Sequence, residues 1–164
     1  MIMPEPVVAP LLSQLGFAQW AALRNLEGIS DEEAAARPNP DANSINWITG
    51  HMITVRQAFL TAFQHPPVLS AESVEAYRRG SKPNGELPER LGDLRDTLVR
   101  SHESLISLVS GFDESALAAK APFSPGGEAN ETVGSLLGKI VVHESYHTGQ
   151  LGFARRLVGK PGAI

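Results

Sequence analysis

The chain has 164 residues, of which 42% are hydrophobic and 20% charged; this suits one soluble domain with its own core and excludes disordered and collagen-like classes. A formal charge of −4 with no dense basic run argues against a nucleic-acid partner. There is no cysteine, so disulfides, thiolate metal ligands and a cysteine nucleophile are excluded, and any thiol chemistry needs a thiol from outside.

The opening MIMPEPVVAP has no basic start, and no stretch approaches about 18 uninterrupted apolar residues, so neither a signal peptide nor a membrane span is expected and a cytoplasmic location is. The first helix is predicted over residues 7–27, with Leu11, Leu12, Leu15, Ala18, Ala22 and Leu26 at three- and four-residue steps and Gly28 as its stop. Ser30 followed by Glu33 reads as a capping box for a short connecting helix ended by Pro38.

A second long helix begins at Asn43 or Ser44 and runs to Gln64, carrying Ile48, His51, Val55, Phe59 and Ala62 on its apolar row. Residues 66–87 are a long connection with a helical turn at 71–77. The third helix lies in ELPERLGDLRDTLVRSHESLISLVSGF, with leucines on one side and charge on the other, and ends at Gly111. A fourth spans residues 131–158 after an irregular stretch at 122–130. Its glycines 134, 138, 149 and 152 each disfavour helix by about 1 kcal/mol relative to alanine, which predicts close backbone packing there as compensation. No segment alternates at period two over a useful length. The expected fold is therefore all-α: one domain over residues 1–164, a four-helix bundle with a long connection between its second and third long helices.

Chemistry concentrates on the inward faces. His143 and His147 stand one turn apart on the stripe that contains Leu136, Ile140 and Leu151, so both imidazoles can reach one ion. His51 is placed likewise between Ile48 and Val55. Three inward imidazoles are costly to bury alone, and a divalent cation satisfies all three. The run HESYH matches the H-E-x-x-H metalloprotease pattern. However, Gln150 and Phe153 stand where the extended form needs Gly and His, no acidic residue follows His147, and no edge strand exists to extend a peptide. A metallopeptidase is therefore disfavoured, and the third ligand is sought upstream, at His51. His65, about 21 Å further along the same helix, is too distant to share that ion, and His102 is read as a polar-edge residue.

The segments NSINWITGHMITVRQ (residues 43–57) and VVHESYHTGQLGFARRL (residues 141–157) resemble the two signature segments of the DinB/YfiT-like family of metal-dependent enzymes. The resemblance implies a four-helix bundle, often a homodimer, in which His51, His143 and His147 bind zinc, nickel or a similar divalent ion, with Gly149 and Gln150 completing the second segment. Its wider superfamily includes S-transferases and isomerases that use mycothiol, bacillithiol or glutathione, which implies a small-molecule substrate and an external thiol as cosubstrate.

Three neutral imidazoles leave an ion doubly charged and open at one position or more, the ligand count of catalytic zinc, so hydrolysis and thiol transfer are both accessible. Glu144 is a candidate catalytic carboxylate; its other reading is a carboxylate paired with an arginine. Trp47, one turn before His51, is expected to line the cavity above the ion or to pack at the helix start. Gln150 is expected near a bound substrate or across the bundle. A non-catalytic metal-binding or interaction bundle is the rival reading.

Overall fold

A computed structural model describes residues 7–81 and 87–164. Among them are seven helices and no strand: α1 (Ala9–Leu26), α2 (Asp31–Ala35), α3 (Ile45–Ala62), α4 (Ala71–Tyr77), α5 (Leu91–Ser110), α6 (Glu114–Ala118) and α7 (Val133–Leu157). The four long ones are slightly shorter than their apolar patterns because flanking residues serve as caps. Ser44 Oγ accepts from the Trp47 N–H and starts α3, and Thr132 and Ser135 bond reciprocally to start α7. The Ser30–Glu33 capping box is present at α2. Gly28 and Gly159 take φ of 70° and 83° just past α1 and α7, the left-handed conformation in which a glycine ends a helix without strain. Helix α6 has no counterpart in the apolar pattern: five residues are too few to show a period, and it is marked only by its N-cap Asp113, whose carboxylate accepts from the Ala116 N–H.

Side-chain pairs along the helices fix their directions. Asn46 bonds the Glu89 carbonyl just before α5, Arg56 bonds Leu98 and Ser101, and Phe63 meets Phe112, so α3 and α5 run parallel. Thr148 bonds Ala18, and Arg155 bonds the carbonyls of Asn25 and Glu27, so α1 and α7 are parallel as well. His51 faces His147 while Arg56 faces Glu144, so α3 and α7 run antiparallel. Two parallel neighbours cannot be joined by a tight turn, which is why the α3–α5 connection is long and has room for α4.

The apolar interior falls into two clusters. One gathers Leu26, Ile48, Met52, Tyr77, Leu94, Leu98 and Leu151; the other gathers Leu15, Phe59, Leu105, Val109, Leu136, Leu137 and Ile140. Between them lies a buried polar layer of Gln19, Arg56, Ser101 and Glu144. The glycines of α7 divide: a Cβ at Gly134 or Gly152 would press on Leu117 or Asn25, whereas at Gly138 and Gly149 it would meet open space. Close packing within the chain thus accounts for two of the four. No helix among the described residues is long and apolar enough to cross a membrane.

Candidate metal centre

The antiparallel crossing of α3 and α7 brings His51 opposite the one-turn pair His143 and His147. One ring nitrogen of each lies within 4.8 Å of the others, and the Nε2 atoms of His51 and His143 are 3.2 Å apart. The second ring nitrogens explain which atom is presented. The Nδ1 of His51 lies 2.8 Å from the Tyr77 carbonyl, an acceptor only, so Nδ1 carries the proton and Nε2 keeps its lone pair. The Nδ1 of His147 donates to Gln150 Oε1 at 2.8 Å, with the same result. His143 Nδ1 is buried without a hydrogen-bond partner among the described residues. Two lone pairs converging on a third imidazole are satisfied together by a cation, so the donor set fits a divalent metal ion of the kind that takes nitrogen ligands.

Protonation does not compete well at this position. Burial holds His51, His143 and His147 below the ordinary imidazole pKa. His143 is pushed down to about 3, with the neighbouring His147, His51 and Arg56 adding to the burial cost. At His51 the Tyr77 carbonyl opposes the shift and the Arg79 charge adds to it; at His147, Gln150 and Glu144 oppose it. Neutral imidazole is the form that ligates.

The surroundings hold these rings in place. Trp47 stacks on His51 with ring centroids 4.8 Å apart at 11°, and its indole N–H donates to Ser81 Oγ at 2.8 Å. Tyr77 ends α4 and is wholly buried, its hydroxyl donating to Asn46. Its ring lies flat against α3 at Gly50, where any Cβ would collide with it. The glycine just before His51 thereby lets α4 approach closely enough for its last carbonyl to fix the His51 tautomer.

The three histidines open into a cavity of about 530 Å³, within the size range of small-molecule sites. Trp47 and Gln150 line it, as does Tyr146 on the α7 side. The remaining walls come from the α2–α3 connection, with Arg37 and Asp41, and from Arg79 and Ser81 after α4.

Glu144 is placed differently. It is 0% exposed, and both its oxygens pair with Arg56, Oε1 with Nε at 2.8 Å and Oε2 with Nη2 at 2.6 Å. The guanidinium spends its other three protons on the Leu98 carbonyl, Ser101 Oγ and Gln19 Oε1, so all five N–H groups have acceptors. Glu144 is not among the cavity residues; its carboxylate points into the polar layer of the core. His102 is half-buried with an unpartnered Nδ1, and burial together with the Arg56 charge pushes its pKa down to about 4. Half-burial agrees with the polar-edge expectation, while Nδ1 itself is turned inward.

Arg56, Tyr77, Arg79 and Tyr146 do not stand out from the sequence as site residues. The helical period places Arg56 beside the apolar row, and only a partner 88 positions away makes it internal. Tyr77 acts through its backbone, which no side-chain pattern reveals. Tyr146 falls inside the HESYH run, where attention goes to the fixed letters.

A family model described as the DinB superfamily matches residues 14–151. A crystal structure described as the conserved protein of a locus from Enterococcus faecalis aligns over 94% of this chain and 98% of its own, with a TM-score of 0.70 at 18% identity, which shows a shared fold. No curated protein matches the chain.

Proposed function

The chain belongs to the DinB superfamily, and from that premise we propose that it is a metal-dependent enzyme acting on a small molecule, by hydrolysis or by transfer of a low-molecular-weight thiol. His51, His143 and His147 hold a divalent cation, zinc or nickel by ligand type. The reading treats residues 1–164 as one four-helix-bundle domain working in the cytoplasm. A single observation carries it: three neutral imidazoles converge on an open cavity, with no carboxylate of the described residues clustered with them to close the site. A cation there supplies Lewis-acid chemistry to an oxygen or sulfur of the substrate.

The chain's own groups have separable tasks. The Tyr77 carbonyl and Gln150 keep His51 and His147 in the ligating tautomer. Trp47 shields one face of His51 from water. Because Gln150 Oε1 accepts from His147, its Nε2 donates to the Tyr146 hydroxyl at 3.1 Å, which leaves the hydroxyl proton of Tyr146 available to a substrate oxygen or sulfur. Glu144 contributes through Arg56, by tying α7 beside His143 to α3 one turn beyond His51; it is a positioning residue in this proposal.

Metal analysis of the purified protein after dialysis against zinc or nickel tests the site. One ion per chain is expected in the wild type, with loss in His51→Ala and in His147→Ala. A wild type that takes up no ion, or retention by both variants, sinks the reading. A screen of electrophiles with cellular thiols then separates the branches: a metal-dependent thioether adduct supports transfer, and its absence with turnover of an ester or amide supports hydrolysis.

A second copy of the chain is part of the proposal. Val142, Tyr146, Phe153 and Leu157 form one exposed stripe along α7, and Phe17 and Trp20, stacked at 5.4 Å, are exposed on α1, which packs beside it. So much apolar surface along two adjacent helices supports association.

A further inference from the structure

We infer that the substrate of this site is an anion, with a carboxylate, phosphate or sulfonate group received by Arg79. The inference deepens the metal-site reading and rests on it. Among the described residues, the charges that border the cavity are two arginines, Arg37 and Arg79, and one aspartate, Asp41, around three neutral histidines. The pocket is therefore net positive before any cation enters, and more so with one, in a chain whose overall charge is −4.

The two arginines are not equivalent. Arg37 and Asp41 each have partners of their own. Neighbouring Arg78 is taken by Glu75 at 2.5 Å. Arg79 has no ion-pair partner among the described residues, and it lines the same cavity as His51, His143 and His147. A guanidinium beside a cation site is repelled by the ion, and an anionic substrate bridging the two relieves that repulsion.

Position supports the same division of labour. Arg79 follows the Tyr77 carbonyl that orients His51, and Ser81 two residues later receives the Trp47 indole. One short segment therefore fixes a ligand, a wall and the cation that would receive the anion, so the charged end of a substrate lies at a set distance from its reacting end. A neutral substrate fills the same volume but leaves Arg79 facing the metal charge.

The experiment uses the full chain loaded with Co²⁺, whose thiolate charge-transfer band reports occupancy. It is titrated with 3-mercaptopropionate and with 2-mercaptoethanol, thiols of similar length that differ in the carboxylate. In the wild type the anionic thiol should bind about tenfold tighter, the size of one charge-assisted hydrogen-bonded contact. In Arg79→Gln the two affinities should converge to within about twofold while that for 2-mercaptoethanol stays put, and Arg78→Gln should behave as the wild type. No preference in the wild type, or a preference that survives Arg79→Gln, overturns the inference. Failure to take up Co²⁺ is the separate failure of the metal reading. The question is then decided on metal-free protein titrated with inorganic phosphate by amide NMR. Shifts at residues 79–81 and 146–150 that disappear in Arg79→Gln support the anion site, and their absence from the wild type overturns it.

Discussion

The five-way satisfied guanidinium of Arg56 invites a direct perturbation. Replacing Glu144 by alanine removes two of its five acceptors and its one ion-pair partner among the described residues, in a position where both side chains are 1% exposed. Breaking a buried pair from one side costs about 3–5 kcal/mol, because the surviving charge is left in a low-dielectric interior. Most of that cost is the penalty of the orphan rather than the worth of the pair. The double variant Arg56→Met/Glu144→Leu should therefore recover most of the loss and come within about 1–2 kcal/mol of the wild type. Urea unfolding of the metal-free protein, followed by circular dichroism at 222 nm, measures the wild type, Arg56→Met, Glu144→Leu and the double variant as the four corners of a cycle, with Glu144→Ala alongside. A Glu144→Ala variant within about 1 kcal/mol of the wild type would refute the reasoning, as would a double variant no more stable than the worse single one. Zinc affinity of the double variant then separates the two roles of Glu144: near-wild-type uptake with activity retained identifies it as a positioning residue, and uptake without activity assigns it to the reaction.

Other consequences can be checked in the same way. Gly50→Ala forces a Cβ into the Tyr77 ring; displacing α4 should cost about 1–3 kcal/mol and weaken zinc binding although no ligand is changed, as isothermal titration would report. His102 has its pKa pushed down to about 4 by burial and Arg56. The folded state resists its protonation while the unfolded state accepts a proton near the ordinary value of 6.5, so stability present above pH 6.5 is lost as pH falls toward 4. Since the ring is only half-buried, the contribution is at most about 2 kcal/mol after solvent screening. His102→Phe should flatten that limb of the stability–pH curve, and an unchanged slope would count against the assignment. Phe153→Glu, placed on the exposed stripe of α7, should shift sedimentation toward the monomer and leave the helical circular dichroism intact; a wild type that sediments as a monomer removes the second copy from the proposal.

The helices were legible from sequence where the physics is local. Ser30 with Glu33, Ser44, and the glycines at 28 and 159 mark their own ends, and the histidines announce an inward stripe by their spacing from Ile48, Ile140 and Leu151. The convergence of His51 with His143 and His147 was legible as a joint cost of burying three imidazoles and in the resemblance of the two segments that carry them to the DinB/YfiT-like family. What stayed hidden depends on partners distant in sequence. Arg56 looks solvent-facing until Glu144 and Ser101 are brought to it. Likewise, the role of Tyr77 lies in a carbonyl that every residue possesses. His102 is half-buried, as its polar-edge reading implies, but the inward turn of its Nδ1 depends on helix packing that flanking Ser101 and Glu103 do not reveal.

The contact between α4 and His51 makes metal affinity a property of the connecting segment as well as of the ligands. With Tyr77 docked on Gly50, the His51 ring is held in one orientation by its carbonyl bond. With α4 undocked, the ring is free to turn and its proton to move to the other nitrogen. Apparent affinity is then the intrinsic affinity scaled by the fraction of molecules in which α4 is seated. By linkage, an ion that prefers the seated state protects this segment from opening to the same extent. Hydrogen exchange at 71–81 therefore serves as a remote gauge of whether the centre is filled, read from amides that never touch the ion.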